Sequence, residues 1–352
     1  MRLNGPSVDR VASAIVADHI RLVTVSLNHD SHLLADSAGD GWIVKHNAGK
    51  VTTAAEHAVV TLLNDLGTAE VRRTLPTLAP GVASDGTLAL DLVQSSATLR
   101  MVIARYCAPP EQTLASVGTA LSQIHGIAMP SPICTSLTTV PTHPIIHGRL
   151  SPKTLEEMST ASRRLAVLID EIEPLKFQLS LLAGGSWRCL IHNDLKWDNI
   201  LVHPREGETE PTEVKLIDWE MAGLGDPCWD VGTVLSEFVA FWALSIPVVG
   251  GEPYEGLAKY PIEDMQPAIR AFWESYAEAM EFDRATARER LLKSVRFAGA
   301  RLIQTAYERT QTMTHLTPHI YLLLQLSLNI MEGPEEAAEG LFGIPLPDGV
   351  GV

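Results

Sequence analysis

Hydrophobic and polar residues alternate in short stretches over the first part of the chain, and this pattern predicts mostly strands. One helix is expected over residues 53–66, where apolar side chains recur at helical spacing. Asp85 and Gly86 lie between two apolar stretches, which is typical of a hairpin turn. The predicted strands are residues 21–28, 31–35, 42–45, 81–84 and 87–93.

From residue 94 onward the spacing becomes helical, with one short strand-rich block at 188–217. A segment rich in Pro, Ser and Thr, residues 129–152, predicts a loop. The predicted helices are residues 111–125, 154–182 and most of 227–331. The expected fold class is α+β with two lobes. The first (1–93) is a small, mainly antiparallel β lobe with one helix, and the second (94–352) is larger and mainly helical.

The composition is that of a globular protein of 352 residues, 46% hydrophobic and 20% charged. Its formal net charge of −15 argues against nucleic acid as a partner, because phosphate backbones bind to basic surfaces. An acidic surface suits a cationic substrate, but it also serves solubility alone. Both interpretations of the net charge stay open.

Neither the cysteines nor the apolar stretches indicate export or a membrane. The four cysteines show no CxxC pair and no metal-ligand spacing, so reduced thiols are expected. No export signal is recognisable in the first residues. The apolar stretch 231–250 contains Glu237 and Pro247, which favours a buried helix over a membrane-spanning one. We expect a cytoplasmic protein.

The segment that carries chemistry is residues 190–202, in which two apolar runs flank a polar loop with His192, Asp194 and Asn199. A further strand-like run, 214–217, ends at Asp218. Phosphoryl transfer needs a carboxylate at the attacking hydroxyl and oxygen ligands for a metal that offsets the phosphate charge. Carboxylates crowded at one point repel each other without a divalent cation, so the pattern predicts Mg²⁺. The alternative is a polar turn in an unrelated fold.

The pattern His-x-Asp-x4-Asn followed by Ile-Asp resembles the catalytic and metal-binding loops of the aminoglycoside phosphotransferase/choline kinase family, relatives of the protein kinases. Residues 218–230 and 117–125 are also similar to that family, so the resemblance covers about residues 20–330. It implies a protein-kinase-like fold and ATP as phosphate donor, with GTP as the alternative. The residue roles that it implies are Asp194 as catalytic base, Asn199 and Asp218 as Mg²⁺ ligands, and His192 and Asp230 as supports of the loop.

The same resemblance predicts how the phosphates are held. Lys45 ends a strand whose counterpart in the family carries the lysine that binds the α- and β-phosphates, and Glu56 is its expected partner. Two other interpretations stay open: Lys45 as a solvated lysine, and Glu56 as the cap of its own helix, since Thr53-x-x-Glu56 is also a capping box.

No glycine-rich phosphate loop occurs in the sequence. The segment from Ser26 to Ser31 is therefore expected to cover the phosphates with backbone N–H groups and short polar side chains. The adenine is expected against the backbone from Asp91 to Val93.

Two residues of the loop depart from the family pattern. Asn193 stands where aminoglycoside enzymes have Gly, and choline kinases resemble this sequence better there. Lys196 stands where protein serine/threonine kinases place a lysine that touches the transferred phosphate, and the alternative is a solvated side chain.

The function expected from these observations is ATP- and Mg²⁺-dependent transfer of phosphate to a hydroxyl group. The acceptor is an antibiotic-like compound, an amino alcohol, or a Ser or Thr of a ribosomal precursor peptide. The peptide alternative comes from a resemblance of Lys196-Trp-Asp-Asn and of residues 218–230 to kinases of class V lanthipeptide and thioamide-peptide biosynthesis, which work with a partner lyase. The non-enzymatic alternative is a pseudokinase scaffold or activating partner that binds nucleotide without turnover.

Overall fold

The computed structural model describes residues 23–26, 31–35, 41–46, 52–79, 87–106, 110–130, 156–182, 188–204, 211–249, 252–253 and 257–347. The chain divides into two compact units. The first unit comprises residues 1–99 and 198–222, and the second comprises residues 100–197 and 223–352. The predicted division after residue 93 stays a prediction.

The described strands are β1 (Val23–Ser26), β2 (Ser31–Ala35), β3 (Gly41–His46), β4 (Thr87–Asp91), β5 (Ala97–Thr98), β6 (Cys189–Ile191), β7 (Ile200–Pro204), β8 (Pro211–Leu216), β9 (Gly223–Gly225), β10 (Val248–Val249) and β11 (Glu252–Pro253). The described helices are α1 (Thr52–Leu66), α2 (Ala69–Thr74), α3 (Leu99–Tyr106), α4 (Glu111–His125), α5 (Thr160–Glu171), α6 (Glu173–Leu181), α7 (Pro227–Ser245), α8 (Ile262–Ala279), α9 (Arg284–Thr310), α10 (Pro318–Glu332) and α11 (Pro334–Glu336). Single 3₁₀ turns cover Trp197–Asn199 and Trp219–Met221, and a π turn covers Ala337–Leu341.

The first unit is built on an antiparallel sheet with the strand order β1-β2-β3-β4. Residues 77–79 extend it beside β4, where Ala79 donates its N–H to the carbonyl of Ala89 over 3.0 Å. Helix α1 packs against β4 with its apolar face buried, as the spacing of its apolar residues predicts. The predicted strands around β1 to β4 and the helix at 53–66 are confirmed. The predicted strand at residues 81–84 and the predicted turn at residues 85–86 lie outside the described residues.

Two elements of the first unit were not predicted. Helix α2 begins after Thr68, whose hydroxyl oxygen accepts a hydrogen bond from the N–H of Val71 over 3.4 Å. Its acidic first turn and basic last turn suit the helix dipole, so the sequence did contain a signal. Strand β5 pairs with β7, and β7 pairs with β8, in a three-stranded antiparallel sheet.

The second unit is mainly helical, with α4 packed along α8, α7 along α9, and α9 along α10. The helices approach closely at Gly118 of α4, where an added Cβ would lie 2.3 Å from the carbonyl oxygen of Phe272. Because only a residue without a side chain fits at that distance, the glycine sets the separation of α4 and α8. Two-stranded pairings join β6 to β9 and β10 to β11.

The structure corrects one predicted helix and confirms a second. The stretch predicted as one helix at 154–182 contains two, α5 and α6, because Pro174 in the first turn of α6 cannot donate the hydrogen bond that a continuous helix requires. The apolar stretch after residue 230 forms α7, which is buried along most of its length. Within the described part of the chain, no helix has the length and hydrophobicity that crossing a membrane requires.

Candidate active site

Two carboxylates of the first unit contact the side chain of Lys45. Strand β3 lies between β2 and β4, and Lys45 is its next-to-last residue. Its Nζ lies 2.7 Å and 3.0 Å from the two carboxylate oxygens of Glu56 on α1, and 2.5 Å from Oδ1 of Asp218. Glu56 is fully buried, and Lys45 is mostly buried. Of the two interpretations of Glu56, the ion pair is therefore present in the structure.

Asp218 is held in an unusual backbone conformation at the end of β8. Its φ of 71° and ψ of 54° place it in the left-handed region, which costs a non-glycine residue about 1–2 kcal/mol. The turn that follows is anchored, because Trp219 is buried and donates its backbone N–H to Glu56 over 3.3 Å and its indole N–H to Leu216 over 2.7 Å. The conformation directs the Asp218 carboxylate to Lys45.

The charge of Lys45 is stabilised by its neighbours. Burial lowers the pKa of Lys45, but the carboxylates of Glu56 and Asp218 outweigh this effect, and the pKa lies above its ordinary value of 10.5. Lys45 therefore carries a positive charge at neutral pH and can hold phosphate oxygens.

Asn199 lies at the same end of the β7–β8 ladder as Asp218. It directly precedes β7, it is buried, and its carbonyl accepts a hydrogen bond from the N–H of Ile217 over 3.0 Å. One carboxylate and one amide oxygen suit Mg²⁺, which completes its shell with waters and phosphate oxygens. The described residues contain no group of three or more His, Cys, Asp or Glu side chains that could hold a metal alone. The donor set thus fits a metal shared with a nucleotide.

The loop that holds Asp194 belongs to the second unit and is fixed by a buried carboxylate. Asp230 of α7 accepts the backbone N–H groups of His192 over 2.7 Å and of Asn193 over 2.9 Å. His192 is fully buried, and its Nδ1 accepts the N–H of Asp194 over 3.4 Å. Through these contacts His192 and Asp230 brace the loop, which agrees with the role that the resemblance implies for them.

Asn193 adopts a φ of 70°, which explains the departure from the family pattern at this position. Asn tolerates the left-handed region better than other residues with a Cβ, so it can replace Gly there. Its carbonyl accepts the indole N–H of Trp229 over 3.0 Å, which fixes the peptide plane.

A second histidine continues the buried network. Nε2 of His125 lies 3.3 Å from the Asp230 carboxylate, and Nδ1 lies 2.9 Å from the hydroxyl of Tyr276. Burial raises the pKa of Tyr276 well above its ordinary value, so its hydroxyl stays protonated and can donate a hydrogen bond to Nδ1. In that arrangement Nε2 carries the hydrogen of the imidazole and donates to the Asp230 carboxylate.

Asp194 contacts two cations of the second unit. Lys196 Nζ lies 2.8 Å from Oδ2 of Asp194, and Nη2 of Arg301 lies 3.5 Å from Oδ1. Arg301 belongs to α9 and was missed by sequence reasoning. The available signal was a single arginine in an apolar stretch of the helix, and nothing in the sequence connects it with Asp194.

The remaining predicted residues are those expected at the nucleotide, and their roles stay predictions, as do the roles of the residues above. Ser26 ends β1, but its side chain and residues 27–30 lie outside the described part of the structure. Asp91 ends β4 and donates its N–H to Thr77 over 2.9 Å. The carbonyl of Val93 accepts the hydroxyl of Ser96 over 2.7 Å. The structure therefore brings Lys45, Glu56 and Asp218 together in one unit, and Asp194 and Lys196 in the other.

Comparison with known proteins gives one family match and several similar structures. A model of the phosphotransferase enzyme family matches residues 25–271. An aminoglycoside phosphotransferase from Alicyclobacillus acidocaldarius is similar in fold, with a TM-score of 0.54 and 12% identity, over 94% of this chain and 93% of that one. A choline/ethanolamine kinase family protein from Mesorhizobium loti has a TM-score of 0.52 and 15% identity, over 94% of this chain and 96% of that one. The choline kinase LicA from Streptococcus pneumoniae, in complex with AMP, has a TM-score of 0.52 and 14% identity, over 93% and 97%.

Curated relatives match only a segment of the chain. Acyl-CoA dehydrogenase family member 11 of Mus musculus is 36% identical over 99 residues, which are 26% of this chain and 12% of that protein. Its Rattus norvegicus counterpart is 38% identical over 61 residues, 17% of this chain and 7% of that protein. The match therefore spans about an eighth or less of either relative's length.

Proposed function

Because the chain belongs to the phosphotransferase enzyme family and has its protein-kinase-like fold, we propose that it transfers the γ-phosphoryl group of ATP to a hydroxyl group. The observation that carries the proposal is the contact of Lys45 with Glu56 at 2.7 Å and with Asp218 at 2.5 Å. A fully buried carboxylate that fixes a charged lysine beside a second, more exposed carboxylate is suited to binding phosphates. The AMP complex of the choline kinase supports a nucleotide as the ligand, and GTP is the alternative to ATP.

Each residue has a proposed role in the reaction. Lys45 holds phosphate oxygens and Glu56 fixes its position. Asp194 orients the acceptor hydroxyl and takes its proton, and Lys196 stabilises the transferred phosphoryl group. Asp218 and Asn199 would hold Mg²⁺, which, when bound, offsets the charge that develops on the phosphates.

Two finer points belong to the proposal. The backbone from Asp91 to Val93 would bind the base, and Ser26 and the residues after it would lie over the phosphates. The neighbours in fold are named for small-molecule substrates, and this supports a small-molecule acceptor. A cytoplasmic location is part of the proposal. A precursor peptide with a partner lyase stays a prediction that no observation favours.

A separation of Lys45 from Glu56 would favour the pseudokinase alternative, but the two side chains are paired. We therefore propose turnover rather than nucleotide binding alone.

The test is thermal unfolding with Mg²⁺ alone and with Mg²⁺ plus ATP or GTP. Nucleotide at a hundred times its dissociation constant should stabilise the native protein by about 2.7 kcal/mol. Asp218→Ala should abolish this stabilisation, whereas Asp65→Ala, at an exposed position of α1, should keep it. Equal stabilisation of wild type and Asp218→Ala would contradict the assigned metal site, and no stabilisation of the wild type would contradict nucleotide binding. A positive result is followed by a search for acceptors by mass increase.

A further inference from the structure

Basic side chains outnumber acidic ones in the charged cluster around Asp194. The cluster lies in the second unit and contains two sets of ion pairs. In the first set Lys196 and Arg301 pair with Asp194 and Arg301 also pairs with Glu308, and in the second Arg100 pairs with Glu237. Burial lowers the pKa of Arg309, and Arg100 lowers it further while Glu237 and Glu308 oppose this, so Arg309 also belongs to the cluster. Four cations thus face three carboxylates in a protein whose net charge is −15.

Arg301 is the most deeply buried member of this cluster, with its side chain 1% exposed. Its Nη1 donates to the hydroxyl of Thr305 over 3.4 Å and lies 3.2 Å from the carboxylate of Glu308. Within the described residues, its Nε and Nη2 are buried without a hydrogen-bond partner. The 3.5 Å approach of Nη2 to Asp194 is an ion pair, but its geometry is not that of a hydrogen bond.

Two unsatisfied donors in a buried guanidinium are costly. An unmade hydrogen bond to a buried charged group costs roughly 1–3 kcal/mol or more, so two open donors on one guanidinium call for a partner such as water or a ligand. The N–H groups of Nε and Nη2 lie on one edge of the guanidinium plane. That edge binds the two oxygens of a carboxylate or a phosphate in parallel.

We propose that Arg301 binds an oxyanion of the acceptor, a carboxylate or a phosphate, while the acceptor hydroxyl lies at Asp194. The proposal rests on the proposed phosphotransfer and names the substrate class for it. Arg301 and Asp194 lie 3.5 Å apart, and each would bind the acceptor through a hydrogen bond of about 2.8 Å. The hydroxyl and the oxyanion therefore belong to one molecule and are separated by a few bonds. A hydroxy acid or a phosphorylated alcohol meets this requirement. A purely cationic amino alcohol leaves Arg301 unsatisfied and is repelled by it.

The test measures the binding of five probes to the full chain by calorimetry. Two pairs differ only in the anion: 3-hydroxybutyrate with butane-1,3-diol, and glycerol 3-phosphate with glycerol. Choline is the cationic probe. In the wild type we expect at least one anion to bind about tenfold or more tightly than its neutral partner, as one charge-assisted hydrogen bond allows. Which pair shows the preference distinguishes a carboxylate from a phosphate.

Variants assign the preference to Arg301. Arg301→Met should abolish the preference. Arg301→Lys should lose most of it, because an ammonium group keeps the charge but lacks the two parallel N–H donors of a guanidinium. Arg288→Met is the matched control: Arg288 lies on the same helix, is paired with Glu335 at 2.7 Å, and should leave the preference unchanged. Thermal unfolding confirms that each variant is folded.

The following outcomes overturn the proposal. They are equal binding of the anionic and neutral partners in the wild type, a preference for choline, binding of none of the probes, or a preference that survives in both Arg301 variants. Nucleotide stabilisation is measured on the same samples and separates the two proposals. If it is present while the anion preference is absent, only the assignment of Arg301 fails. If the preference is present without nucleotide stabilisation, the proposed phosphotransfer fails and the anion site remains.

Discussion

Asp230→Asn tests whether a buried carboxylate fixes the loop that carries Asp194. In the wild type, Asp230 is fully buried and its two oxygens accept the N–H groups of His192 and Asn193. The substitution keeps the shape of the side chain but replaces one acceptor oxygen with an NH₂ group. Since both backbone partners are donors, at least one N–H then faces another donor.

The expected cost follows from these contacts. A hydrogen bond to a charged group contributes roughly 1.5–3 kcal/mol, and a buried donor left without a partner adds to the loss. His125 and His192 contact the same oxygen of Asp230, and Asn193 contacts the other. The NH₂ group therefore leaves two donors without an acceptor if it replaces the first oxygen, and one if it replaces the second. We expect the free energy of unfolding to fall by about 2–4 kcal/mol, and the melting temperature by roughly 5–12 °C for a unit of this size.

Urea unfolding monitored by tryptophan fluorescence measures this change. The matched control is Asp283→Asn, where the carboxylate accepts the N–H of Thr286 at the start of α9. Asn caps helices about as well as Asp, so this control should change the stability by less than about 0.5 kcal/mol. An equally small effect of Asp230→Asn would refute the view that the carboxylate holds the loop.

Two further predictions concern Lys45 and the closest helix contact. The pKa of Lys45 is raised above 10.5 in the native state, so the stability that it contributes is fully present below that pH and is lost as the pH rises through the native-state pKa. The stability difference between wild type and Lys45→Met should therefore be constant up to about pH 10 and shrink above it, as urea unfolding at several pH values will show; a constant difference up to pH 12 would contradict the pairing. Gly118→Ala places a Cβ 2.3 Å from the Phe272 carbonyl and should destabilise the protein by about 1–3 kcal/mol or more in the same measurement. Gly340→Ala meets nothing within 4 Å and should be nearly neutral, and equal effects of the two changes would contradict the contact.

Most elements of the fold could be predicted from local sequence patterns. The strands of the first unit alternate over a few residues, and the apolar faces of α1 and α4 recur at helical spacing, so each element follows from neighbouring residues. Elements that depend on a single capping or pairing contact were less visible. Helix α2 is fixed by the hydroxyl of Thr68, and β5 exists because β7 lies beside it. The break between α5 and α6 was readable from Pro174 and was overlooked.

In the candidate site, too, local sequence predicts some features and leaves others undecided. Asp194, Asn199 and Asp218 could be predicted because the loop and the strand end that carry them are short and close in sequence. The partner of Glu56 was undecided, because the same spacing predicts a capping box and an ion pair. The approach of α1 to β3 decides between them, and the residues around Glu56 do not by themselves predict that approach.

Net charge is a sum over the whole chain, and this limits what it says about a site. The value of −15 left a cationic substrate open, because an acidic surface attracts cations over distances of about the Debye length. Asp194 instead contacts two cations, Lys196 from the loop itself and Arg301 from α9, which is distant in sequence. At such short range these two cations outweigh the average charge of the surface, because solvent and salt screen distant surface charges far more. Under the proposal for Arg301, the acceptor is selected by the charges next to Asp194, and one of these comes from α9, far from the loop in sequence.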